Sequence, residues 1–222
     1  MDRKFKIYLS SIFTAMAVFL LIMTFFLPWY NICFSIESEE ENYEARSDTY
    51  YYFDKSSSYK KTEYKGESDY DYVENDYTGS RETEKVYNNT KIIVIINIIL
   101  TVLSSVAILG FLIGKISKNR LLVLLAFTII ITLLTPIYFY TAILEAIRKE
   151  TAEDETFPQD LGKEMGNNFS GSYKEDYNNS ELSDADFKST WGGEKAWFLS
   201  FVPPILLGIA SLIIFKFSEE ER

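Results

Sequence analysis

The sequence predicts an α-helical membrane protein: a left-handed bundle of four transmembrane helices carrying a small extracellular antiparallel β-sheet of about three strands in its first outer loop. Three observations predict it. Four blocks, residues 7–30, 92–114, 121–144 and 196–215, contain no Asp, Glu, Lys or Arg. The N-terminal segment and the short link between the second and third blocks are basic while the two long segments are acidic; the C-terminal tail mixes Lys216 and Arg222 with Glu219, Glu220 and Glu221, and acids count little in setting orientation. The first long segment repeats Tyr and Thr at a spacing of two.

Each block exceeds the roughly 18 apolar residues that mark a membrane-crossing helix. Spans are expected over 7–30, 92–114, 121–147 and 196–216, joined by a loop over 31–91, a short link over 115–120 and a loop over 148–195, with ends at 1–6 and 217–222. The first block opens on Arg3, Lys4 and Lys6 but is too long for a cleaved signal, and no Ala-x-Ala follows it, so an uncleaved anchor is expected. Lys115, Lys118 and Arg120 fill the short link without an acid, whereas residues 31–90 hold 7 bases against 15 acids and residues 145–195 hold 6 against 13. Basic short segments stay on the cytoplasmic side. The expectation is a multi-pass protein of the cell membrane with both termini cytoplasmic and both long loops outside.

Within the spans, Trp29, Tyr30, Trp191 and Trp197 fall near the expected outer surface and read as interfacial aromatic anchors, because an amphipathic ring suits the headgroup level. Asn97 is the one amide inside a span and should face another helix, since an unpaired amide in hydrocarbon is costly. Gly110 and Gly114 form a Gly-x-x-x-Gly pair expected to pack helices closely. Pro136 is expected to kink the third span, and Pro203-Pro204 to bend the fourth.

In the first loop, Tyr50/Tyr52, Thr62/Tyr64 and Tyr70/Tyr72 set the period of a strand, with turns expected at Ser56-Ser57-Ser58 and Lys65-Gly66-Glu67. The second loop, rich in Asn, Ser, Gly and Asp, is expected to be mostly irregular. Asn88, Asn168 and Asn178 head Asn-x-Ser/Thr sequons in these loops and are candidate glycan sites. Asp69, Asp71, Glu74 and Asp76 cluster, but without the spacing of a calcium loop, and read as a solvated acidic face. Cys33 is either a free thiol or one half of an intermolecular bridge.

The chain has no His and a single Cys, so a His-based triad, a zinc site or a CxxC pair cannot be built. A net charge of −10 argues against nucleic acid. No charged residue lies inside a spanning block to bind a coupling ion or relay a proton. Acids such as Glu145 and Asp186 have no nucleophile at a catalytic spacing. No catalytic residue, cofactor or metal is therefore expected.

Pro28-Trp29 at the close of the first span resembles the claudin-type tetraspan proteins, though the Gly-Leu-Trp run and paired loop cysteines of that family have no counterpart here. With Trp191-Gly192 and Trp197 at the entry to the fourth span, the pattern is also similar to small, uncharacterised archaeal four-span membrane proteins. The resemblance implies the tetraspan topology with a strand-rich first loop. The expected function is structural, adhesive or protein-interacting. Its partners would be the bilayer and a membrane or cell-surface protein, a second copy included, bound through Tyr50, Tyr52, Tyr64, Tyr70 and Tyr72. The alternative is an accessory subunit of a membrane complex, or a small channel with an acidic outer mouth.

Overall fold

A computed structural model describes residues 3–38, 42–154, 157–179 and 182–216. The chain divides into two compact units: a helical unit of residues 1–27, 89–138 and 195–222, and a sheet unit of residues 28–88 and 139–194.

The helical unit contains α1 (Arg3–Met23), most of α2 (Glu82–Leu112), the first half of α3 (Lys118–Glu153), and a fourth helix in two pieces. Four helices are long and apolar enough to cross a membrane, and only 28 to 39% of their most apolar windows is buried. What is buried explains why. Ser10, Thr14, Asn97, Thr101, Ser104 and Thr128 are all 0% exposed, while Phe19, Val123 and Leu212 are more than 60% exposed. Small hydroxyl side chains let backbones approach, and their hydrogens find acceptors across or along the helices. Ser104 Oγ lies 3.0 Å from Thr128 Oγ1, and Ser10 Oγ donates to the Ala210 carbonyl at 3.3 Å. A water-soluble bundle would reverse this distribution. An apolar cluster of Ile7, Ala107, Ile108, Leu121, Leu125 and Leu207 fills the rest of the centre.

Pro136 lies inside α3 without ending it. The fourth helix is broken instead at residues 200–201, between α5 (Lys195–Leu199) and α6 (Val202–Lys216). Pro203 and Pro204 then fall in the first turn of α6, where a missing N–H costs no helical bond.

The sheet unit departs furthest from expectation. Its sheet has six antiparallel strands, in the order β4-β3-β2-β1-β6-β5, rather than about three. The first loop supplies β1 (Tyr30–Ser38), β2 (Tyr43–Tyr51), β3 (Lys55–Tyr64) and β4 (Glu67–Asp76). The second loop, expected to be irregular, supplies α4 (Gln159–Asn167), β5 (Gly171–Asn179) and β6 (Leu182–Gly193). β6 pairs with β1 along its whole length, from Tyr30 opposite Gly193 to Ser38 opposite Ala185. A polar strand with so distant a partner leaves little trace in composition.

Ser56, Ser57 and Ser58 lie in β3 and do not turn the chain. The turn falls at residues 52–54, where Tyr52 N–H donates to the Lys55 carbonyl at 2.9 Å. The expected turn at Lys65-Gly66 is present, with Tyr64 opposite Glu67 and both turn residues at positive φ (50° and 87°). That is the two-residue hairpin whose twist matches its strands.

Candidate functional site

Cross-strand partners share a face of a sheet, so register sorts the side chains. Tyr30, Ile32, Phe34, Ile36, Phe187 and Trp191 share one face. The first turn of α2, the last turns of α3 and α4 cover its apolar centre. The buried rings form a continuous ladder: Trp29 packs on Phe53 and Phe139, Tyr87 on Phe139 and Tyr51, and Tyr30 on Phe169.

Trp29, Tyr30 and Trp191 are therefore core residues rather than interfacial anchors, being 0%, 1% and 5% exposed. Their polar atoms are satisfied inside the protein. Tyr30 Oη donates to the Phe169 carbonyl at 3.1 Å and Trp191 Nε1 to the Asn168 carbonyl at 2.8 Å. Burial pushes the Tyr30 phenol far above its usual pKa. Trp197 belongs to the helical unit, half-buried, with Nε1 donating to the Pro136 carbonyl at 3.1 Å. Asn97 donates through Nδ2 to Thr135 Oγ1 on the neighbouring helix.

Gly110 and Gly114 do not pack two spans together. Gly114 lies beyond the end of α2 at φ 74°, with open space where a Cβ would be, and Gly110 faces Ile116 of the following turn. Lys115 N–H closes that turn onto the Gly110 carbonyl at 2.9 Å. A Gly-x-x-x-Gly pair does bring helices together in α4. A Cβ on Gly162 would stand 2.7 Å from Thr151 Cβ, and one on Gly166 3.0 Å from Arg148 Cβ, both on α3. Arg148 locks the approach by donating to the Gly166 carbonyl at 3.0 Å.

Between the sheet and these helices lies a cavity of about 200 Å³. Ile32, Phe34, Ile143, Ile147, Phe157 and Met165 make its apolar wall, and Tyr51 and Tyr87 line it as well. Arg81, Glu150 and Asp154 stand at its mouth, which opens into a groove shared with Glu82, Lys149 and Glu153. Glu150 accepts from Thr83 N–H at 2.7 Å and Thr83 Oγ1 at 3.0 Å, so its carboxylate caps the start of α2.

The opposite face is open. Across β2, β3 and β4, Tyr50 and Tyr59 meet with ring centroids 6.1 Å apart, and Tyr59 and Tyr72 at 4.9 Å. Tyr70 shares this face by register and is 71% exposed. Of the five tyrosines expected to bind a partner, Tyr50, Tyr70 and Tyr72 are thus brought onto one face. Tyr52 sits in the turn, and Tyr64 pairs with Tyr43 on the reverse face. Tyr59, which has no Tyr or Thr two residues away, is the ring that joins Tyr50 to Tyr72.

Around the cluster the charges pair off: Lys61 with Glu44 at 3.2 Å and Glu63 at 2.8 Å, Lys188 with Glu37 at 3.1 Å, and Lys55 with Glu74 at 2.9 Å. On the edge strand β4, Asp69 and Asp71 fall on one face and Glu74 and Asp76 on the other. Acids on an edge discourage pairing with stray strands. Among the described residues no group of three or more His, Cys, Asp or Glu is placed to hold a metal ion.

Cys33 is a free thiol, half-buried on the open face; burial first, and Asp48 next, raise its pKa. Asn88 and Asn168 are exposed, but the hydroxyl-bearing Thr90 of the first sequon is fully buried in α2. The side chain of Asn178 lies outside the described residues. Compared with known protein families and with curated proteins, the chain matches none.

Proposed function

We propose that this chain is a non-enzymatic cell-surface interaction protein, multi-pass in the cell membrane, with both termini cytoplasmic and the sheet unit extracellular. The charge asymmetry of its segments supports that orientation. The observation that carries the functional reading is the open tyrosine cluster. Tyr59, Tyr70 and Tyr72 are 51, 71 and 51% exposed on a sheet face that nothing covers among the described residues. Rigid phenol rings give a large amphipathic contact area at low entropic cost. The adjacent β4 edge carries five acids and no base, so the partner is a neighbouring protein presenting a basic surface. The four-span architecture with a loop-borne sheet is also what the claudin-type resemblance implies.

The test is photo-crosslinking in native membranes from probes beside Tyr72. Wild-type protein should capture a discrete neighbour. A variant with Tyr59→Ser, Tyr70→Ser and Tyr72→Ser should insert equally well and lose capture tenfold or more, since exposed aromatic anchors each contribute about 1–2 kcal/mol. Equal capture overturns the reading. A protease added to intact cells should cut the sheet unit; protection there overturns the orientation.

A further inference from the structure

The cavity under the apolar face of the sheet has hydrogen-bonding capacity that the protein itself does not use. Tyr87 is 1% exposed and lines the cavity, and its hydroxyl has no hydrogen-bond partner among the described residues; the half-buried Tyr51 lines the cavity too, and its hydroxyl also has none there. Three of the other polar groups nearby are committed. Tyr30 Oη donates to Phe169, Thr151 Oγ1 donates to Ile147, and the Glu150 carboxylate is occupied by Thr83. Arg81 at the mouth forms no ion pair among the described residues. What remains open is therefore two phenol hydroxyls, each able to donate and to accept, beside the donor-only Arg81 guanidinium, a balance that favours an acceptor on the occupant. Burial pushes the Tyr51 phenol up to about 12, so it stays protonated and able to donate.

Two further features narrow the occupant. An apolar cavity of about 150 Å³ takes one benzene ring, so about 200 Å³ takes one ring with a small substituent or a short alkyl chain. The mouth and its groove carry Glu82, Glu150, Glu153 and Asp154 against Arg81 and Lys149, a net negative rim that disfavours anions.

The geometry points to a binding site for a compact, neutral, carbonyl-bearing apolar molecule, its ring or chain held between Ile32, Phe34, Ile143 and Ile147 and its oxygen accepting from Tyr51 and Tyr87. This goes beyond the surface reading and does not depend on it: the cavity and the tyrosine cluster lie on opposite faces of the sheet.

Full-length protein in lipid nanodiscs would be titrated with para-fluoroacetophenone, para-fluorotoluene and para-fluorobenzoate and followed by fluorine NMR, with empty nanodiscs subtracted. The ketone should bind roughly three- to tenfold more tightly than the hydrocarbon, the increment of one net hydrogen bond, and more tightly than the carboxylate. Tyr87→Phe and Tyr51→Phe keep the ring and remove a hydroxyl that bonds nothing in the folded protein, so both variants should fold. The ketone's advantage should shrink in each and vanish in the double variant, leaving hydrocarbon binding unchanged. Equal binding of ketone and hydrocarbon, tighter binding of benzoate, no binding of any ring (a cavity holding only water), or a ketone preference surviving in the double variant would each overturn the proposal.

Discussion

Asn97 is fully buried on α2; its Nδ2 donates to Thr135 while its Oδ1 meets no donor among the described residues. An amide in this setting stays because the alternative, an amide facing hydrocarbon, is worse. The pair itself contributes modestly, since an unfolded helix in the bilayer finds other partners. A double-mutant cycle of Asn97→Ala and Thr135→Ala, read from unfolding in mixed micelles, should give a coupling of about 0.6 kcal/mol and no more than ~1.7 kcal/mol. A coupling indistinguishable from zero would show that the two side chains do not bond. Among the tyrosines, the same residue type has two fates. Tyr30 and Tyr87 are sealed in the core, whereas Tyr70 and Tyr72 stand open. No local sequence feature separates them: Tyr30 lies on the sheet face that helices cover, Tyr87 on a helix that covers it, and Tyr70 and Tyr72 on the face left open.

At the scale of elements, α4 depends on its glycines. Leu161 and Met165 turn inward beside Gly162 and Gly166, so one helix face supplies both the apolar plug and the close approach to α3. Gly162→Ala would place a Cβ 2.7 Å from Thr151 Cβ, so something must shift. The loss is expected to be about 1–3 kcal/mol, the usual cost of overpacking, even though Ala is the better helix former. Gly110→Ala is the contrasting case, because its new Cβ meets only the side chain of Ile116 in the turn, nearest at its Cδ1 end, and no neighbouring helix. Thermal denaturation of the two variants should rank Gly162→Ala as the more damaging; the reverse order would reassign the close approach. The strand β6 teaches a related lesson. Ala185, Phe187, Ser189 and Trp191 alternate with Asp186, Lys188 and Thr190, a period-two signal set in a loop dominated by Asn and Ser.

For the molecule as a whole, titratable pairs and apolar burial are segregated. On the sheet, Tyr72 and Lys55 hold Glu74 below its ordinary 4.5, Lys61 does the same for Glu63, and Lys174 holds Asp186 below 3.8. A carboxyl depressed in the folded state stabilises it above the ordinary value, and that contribution is lost as pH falls through the folded value. These groups are solvent-exposed, so each effect is small. Acidification below about pH 4 should loosen the sheet unit first, seen as faster proteolysis between β3 and β4, while the helical signal of the bundle persists. Simultaneous loss of both would mean that the sheet and the bundle unfold as one.

The four long apolar helices were legible because a lipid-crossing segment must meet its requirement locally: about twenty apolar residues with internally bonded backbone. The Lys65-Gly66 hairpin was legible for the same kind of reason, a backbone conformation needing glycine at one position. Tertiary structure alone decided the rest. It brought β6 beside β1, set Trp29 and Trp191 in a core and moved the working Gly-x-x-x-Gly pair to α4. It also left Tyr51 and Tyr87 facing a cavity. The first of those outcomes depends on pairing between segments more than a hundred residues apart. Such pairing is encoded by complementarity across the two loops, which neither loop carries by itself.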